Sequence, residues 1–152
     1  CIRDGELSSI SGFGEVFKNL HSLRHLQLSC RDSLRFLSGG LEHLTTLEKL
    51  VIWCGDELDF SADEDMLWKA LKNLQSLQLS GMDKLVALPN GLRHLTNLRS
   101  LSLAHNWELE ELPEWISCLS SLQQMELRAC YELTSLPEGF RELTGLKKLQ
   151  IS

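Results

Sequence analysis

Leucine recurs in this chain at intervals of 24 residues, and no other feature restricts its folding so strongly. With Leu20, Leu44, Leu71, Leu95, Leu119 and Leu143 as first positions, the intervals are 24, 27, 24, 24 and 24. Inside each complete 24-residue unit apolar residues fall at positions 1, 4, 7, 9, 15, 18 and 22. One unit has Leu95, Leu98, Leu101, Leu103, Leu109, Leu112 and Ile116; the next has Leu119, Leu122, Met125, Leu127, Leu133, Leu136 and Phe140. Of the 34 leucines, 32 lie on these columns, all but Leu7 and Leu67, so the composition follows from the repeat. One such unit cannot bury its apolar face alone, and stacking copies side by side makes the core continuous.

Positions 7 and 9 alternate with polar neighbours, as in Leu26-Gln27-Leu28, Leu77-Gln78-Leu79 and Leu101-Ser102-Leu103, which is the period of a half-buried strand. Parallel strands need a crossover, and the rest of each unit supplies it. Pro89, Pro113 and Pro137 each follow the position 18 leucine, where proline lacks a ladder hydrogen and marks the return segment. The expected fold is therefore an α/β leucine-rich-repeat solenoid, a right-handed horseshoe with a short-stranded parallel concave sheet and irregular convex turns. It forms a single domain over residues 1–152, with a partial repeat at 1–19, repeats starting at 20, 44, 71, 95 and 119, and a partial repeat at 143–152. The 27-residue unit differs from the others. Ser61 to Glu64 form a capping box before helically spaced Leu67, Ala70, Leu71 and Leu74, which predicts one convex α-helix near residues 62–72.

The formal charge is −6, supplied by Asp56, Glu57, Asp59, Asp63, Glu64 and Asp65; the remainder sums to zero. No basic stripe is available to hold a polyanion, so nucleic acid is not an expected partner. No apolar run reaches membrane-spanning length, no secretory leader is recognisable and no Asn-x-Ser/Thr acceptor occurs. The five cysteines form no cap pattern, which fits a reduced, cytoplasmic protein. Both ends cut through the repeat, at Ile10, Phe13 and Phe17 and again at Ile151. The expectation is a fragment of a longer protein with a pairing-prone strand edge at Ile151.

Side chains at positions 8 and 10 point to the concave face. Position 8 gives Gln27, Val51, Gln78, Ser102, Glu126 and Gln150; position 10 gives Ser29, Trp53, Ser80, Ala104, Arg128 and Ser152. Trp53 beside Val51 is out of keeping with small polar neighbours, and is either a binding anchor or a side chain lying over its own floor. Trp107 and Tyr131, both at position 13, are expected to stack on the rim above His105. Candidate protein-binding residues are therefore Val51, Trp53, Gln78, His105, Trp107, Glu126, Arg128 and Tyr131. Trp68 at position 22 and Trp115 at position 21 read as structural, as do Asn106 and Cys130 at position 12. Cys30 and Cys54 share position 11 but lack a second pair or a histidine, so no metal or cofactor is expected.

Catalysis has no residues to carry it. His25 and His105 stand three strands apart, about 14 Å at the usual strand spacing, whereas a base and its nucleophile need about 3 Å. His21, His43 and His94 lie off the concave floor. There is no phosphate loop and no serine elbow. The acidic stretch has the density of a calcium site but not the order of its ligands.

The unit from Leu119 through Leu122, Met125, Leu127, Cys130, Leu133 and Leu136-Pro137 to Phe140 resembles the repeats of plant nucleotide-binding leucine-rich-repeat disease-resistance proteins. Asn106, Leu109, Leu112-Pro113 and Ile116 follow the same spacing in the unit before. Two residues, not one, separate position 12 from the next leucine, and Leu-Pro follows directly. The early units depart from the pattern, with Arg31, Gly55 and Met82 at position 12 and Ser38 in place of proline. The resemblance implies an intracellular immune receptor whose repeats restrain a switch domain and recognise a pathogen effector or guarded host protein. The alternative is a scaffold or autoinhibitory segment making only intramolecular contacts.

Overall fold

The computed structural model describes residues 17–30, 40–54 and 64–152. Among the described residues six strands form one sheet: β1 (His25–Cys30), β2 (Lys49–Cys54), β3 (Ser76–Ser80), β4 (Ser100–Ala104), β5 (Gln124–Arg128) and β6 (Lys148–Ile151). Their spatial order is their chain order, and every neighbouring pair is parallel. Strand starts at 25, 49, 76, 100, 124 and 148 are separated by 24, 27, 24, 24 and 24 residues, the same beat as the leucines. Equivalent residues pair without slippage: Leu26, Leu50, Leu77, Leu101, Met125 and Leu149 form one row across the sheet. Register is held because a slip of one residue would turn every leucine toward water. The backbone adds a second constraint at each strand entrance. The carbonyls of Arg24, Glu48, Gln75, Arg99 and Gln123 each accept two amides from the following repeat.

The leucine columns build one continuous core from Phe17 to Leu143. Leu77 and Leu79 are 1% and 0% exposed, and their equivalents on β2, β4 and β5 are buried as well. Leu136, Leu149 and Ile151 depart from the expected burial and are exposed. Each column residue is covered by the repeat on either side, and β6 has a partner strand only in β5.

Between strands the chain returns over the convex side. After each proline a short 3₁₀ turn forms, at Asn90–His94, Glu114–Cys118 and Glu138–Glu142. The carbonyls of Pro89, Pro113 and Pro137 accept the amides of Leu92, Ile116 and Phe140 at 3.1, 3.0 and 3.0 Å. Proline suits that place because its own missing amide would have no partner there. The long repeat instead carries α1 (Glu64–Ala70), inside the expected 62–72 and ending two residues earlier, while the Ser61 capping position and residues 62–63 lie outside the described residues. Trp68 of α1 is fully buried and takes the core place that Leu92 and Ile116 fill elsewhere.

Candidate functional site

The rim of the sheet is shaped by what happens one residue after β3, β4 and β5. Gly81, His105 and Ala129 occupy position 11 of successive repeats, and all three have left-handed backbones, with φ of 65°, 55° and 49°. Only glycine adopts this region freely, so the turn is imposed by its surroundings at the other two. Their amides bond the carbonyls of Ala104, Arg128 and Ser152 in the next repeat, at 3.0, 2.8 and 2.7 Å.

The left-handed turn sends position 12 inward. Asn106 is completely buried; its Nδ2 donates to the Leu79 carbonyl at 3.0 Å and its Oδ1 accepts the Met82 amide at 3.0 Å. Cys130 takes the same place one repeat on, its thiol 3.7 Å from the Leu103 carbonyl and 3.6 Å from that of Arg128. Burial pushes the thiol's pKa up, outweighing its hydrogen bonds with the backbone of Asn106 and Arg128, so Cys130 stays protonated and acts as a weak substitute for asparagine. Both residues are structural, as their position in the repeat implies.

Position 13 is thereby thrown outward. Trp107 and Tyr131 hold the same position in adjacent repeats, 50% and 76% exposed, and His105, two residues before Trp107, is exposed as well. Equivalent backbones in adjacent strands lie about 4.8 Å apart, which sets the scale between the two positions from which the rings project. On the concave floor Trp53 is 51% exposed. Gln78 is half-buried, its Nε2 donating to Ser80 Oγ at 3.2 Å. Ser102 Oγ donates to Glu126 Oε2 at 3.0 Å, and Arg128 forms an ion pair with the other oxygen of Glu126. Val51 differs from expectation. It is only 8% exposed, because it lies in register between Gln27 and Gln78 and shares its face with Trp53 two residues on, so larger neighbours cover it.

The convex side uses its polar residues internally. Asp65 of α1 meets Arg93 at 3.2 Å, His94 at 3.4 Å and Lys69 at 3.5 Å. Desolvation tends to raise the Asp65 pKa, but the charges of Arg93, Lys69 and His94 together outweigh it and hold the carboxyl below its ordinary range. Trp115 is half-buried and donates to Asn90 Oδ1 at 3.0 Å. Both carboxylate oxygens of Glu114 accept amides of the following 3₁₀ turn, those of Glu138 at 3.1 Å and Gly139 at 2.7 Å. A depression of about 330 Å³ lies between the Leu112-Pro113 and Leu136-Pro137 turns, edged by Glu111 and Glu138. A further ladder precedes the strands, where Asn73 and Asn97 at position 3 donate to the carbonyls of Thr45 and Lys72 at 2.7 and 2.8 Å. The shared spacing of Thr46, Asn73 and Asn97 was the available signal for it.

Among the described residues no three His, Cys, Asp or Glu side chains cluster as metal ligands. The side chains of Cys30 and Cys54 and the acidic stretch from Asp56 to Asp63 fall outside the described set. Among the described residues, no helix is long and apolar enough to cross a membrane.

No family model and no curated protein matches the chain. Among solved structures it is similar to a leucine-rich-repeat protein of Leptospira interrogans, at 28% identity and a TM-score of 0.70. The match covers 90% of this chain and 33% of that one. The chain thus spans about a third of that protein's length. The fold is a leucine-rich-repeat solenoid, and the class it defines is the protein-interaction module, built around an open sheet and its rim.

Proposed function

We propose that this chain is the non-catalytic recognition module of a cytoplasmic plant immune receptor, sensing a pathogen effector or a guarded host protein through its concave face and rim. The observation that carries the binding role is the exposure of Trp53, Trp107 and Tyr131 at positions where the repeat asks nothing of a side chain. Rigid aromatic groups of this kind supply the anchors of protein interfaces. Gln78, His105, Glu126 and Arg128 add polar groups to the same sheet face and rim, and Val51 is buried. The receptor assignment rests on the Leu-Pro spacing of the last complete repeats. A phosphate loop encoded upstream in the full-length reading frame would support it, and a frame without a nucleotide-binding domain would remove it.

Binding is tested by capture of candidate effectors and host proteins with the chain and with Trp53→Ala and Trp107→Ala variants. The expected result is a specific partner whose affinity falls roughly tenfold or more in one or both variants. Capture undiminished by both would end the concave-face proposal. Association with the receptor's own switch domain alone would leave the autoinhibitory scaffold.

A further inference from the structure

The flank below the rim pairs aromatic rings with carboxylates that the fold does not use. Glu108 follows Trp107 and Glu132 follows Tyr131 at position 14 of adjacent repeats, while Glu110 and Glu111 continue down the first of them. All four are exposed, and none joins an ion pair among the described residues. From His105 to Phe140 the sequence has a single Lys or Arg, Arg128, and that side chain is turned to Glu126. Lys84, one repeat earlier, bounds the acidic strip.

We propose that Trp107, Tyr131 and the carboxylates of Glu108, Glu132, Glu110 and Glu111 dock a basic, Arg- or Lys-bearing segment of a protein partner. This rests on the recognition role proposed above and adds the chemistry of what is recognised. A guanidinium or ammonium group lies favourably over an aromatic face, and carboxylates beside the ring fix its orientation through charged hydrogen bonds. An acidic segment or a nucleic acid would meet like charge on the same flank and be repelled. Charge complementarity therefore selects the occupant.

The test is calorimetric titration of the chain with a synthetic peptide alternating Arg and Gly, and with its Glu and Gly counterpart. The Arg peptide binds and the Glu peptide does not, and binding weakens steeply toward ~0.5 M salt. Trp107→Ala with Tyr131→Ala, which leaves the charge unchanged, weakens the Arg peptide about tenfold. Glu108→Gln with Glu132→Gln weakens it as well. Neutralising Glu42 and Glu142 instead, two carboxylates of the convex turns Leu41–His43 and Glu138–Glu142, leaves affinity within about twofold. No binding of the Arg peptide overturns the proposal, as does affinity indifferent to the flank variants or lost as much in the Glu42, Glu142 variant. Such a failure alongside intact, Trp53-dependent partner capture would condemn the flank's chemistry and leave protein recognition standing.

Discussion

The convex back at α1 and the rim beyond β4 and β5 are made from the same kinds of residue and use them in opposite ways. At the back, Trp68 is fully buried and the Asp65 carboxylate is shared by Arg93, His94 and Lys69. At the rim, Trp107 and Tyr131 stand half or more exposed, and the carboxylates that follow them in sequence join no ion pair among the described residues. The difference is one of position in the repeat. Position 22 points between stacked units, where any side chain must be apolar and fitted. Position 13 follows a left-handed turn and a buried Asn106 or Cys130, so it leaves the body of the solenoid altogether. Side chains that the fold consumes explain stability, and side chains that it leaves over are available for a partner.

The contrast is broken most directly at Trp68. Trp68→Ala removes a side chain buried on all sides, and the expected loss is about 3–5 kcal/mol in denaturant unfolding. A loss under about 1 kcal/mol would mean that α1 is no more than a lid. A second, smaller effect sharpens the comparison within the acidic flank, because Glu114 is consumed by the fold while Glu111 is not. A Cβ on Gly139 would sit 2.5 Å from the Glu114 carbonyl oxygen, so Gly139→Ala pushes the two 3₁₀ turns apart and strains the carboxylate's bonds to the Glu138 and Gly139 amides. The expected cost is about 1–3 kcal/mol, read in the same unfolding experiment; an unchanged midpoint would show that the turns do not depend on close stacking.

How much of this was legible in the sequence depended on whether a residue's role repeats. The strands, the proline-marked returns and the burial of Trp68 all follow from columns that recur from unit to unit, and the helix of the long repeat from its own capping box and helical spacing. So does the equivalence of Asn106 and Cys130. Val51 was misplaced because alternation gives the face of a strand and not the size of its neighbours, and Gln27, Gln78 and Trp53 cover it. The left-handed turn was hidden because His105 and Ala129 hold it where only Gly81 advertises it. The Glu114 clamp was invisible for a different reason: it joins a side chain to amides one repeat away, and nothing in the local spacing marks that contact. The candidate site itself was legible as an anomaly, since aromatic residues at columns that need none stand out against the period.

The central claim is that the leucine columns carry the fold and the exposed aromatics of the concave floor and rim carry little of it. Denaturant unfolding of the combined Trp53→Ala, Trp107→Ala and Tyr131→Ala variant tests this most directly. The account predicts a stability within about 1 kcal/mol of the parent chain, as for surface substitutions that break no buried contact. A loss of about 3 kcal/mol or more, comparable to that of Trp68→Ala, would contradict it and return these rings to the structure.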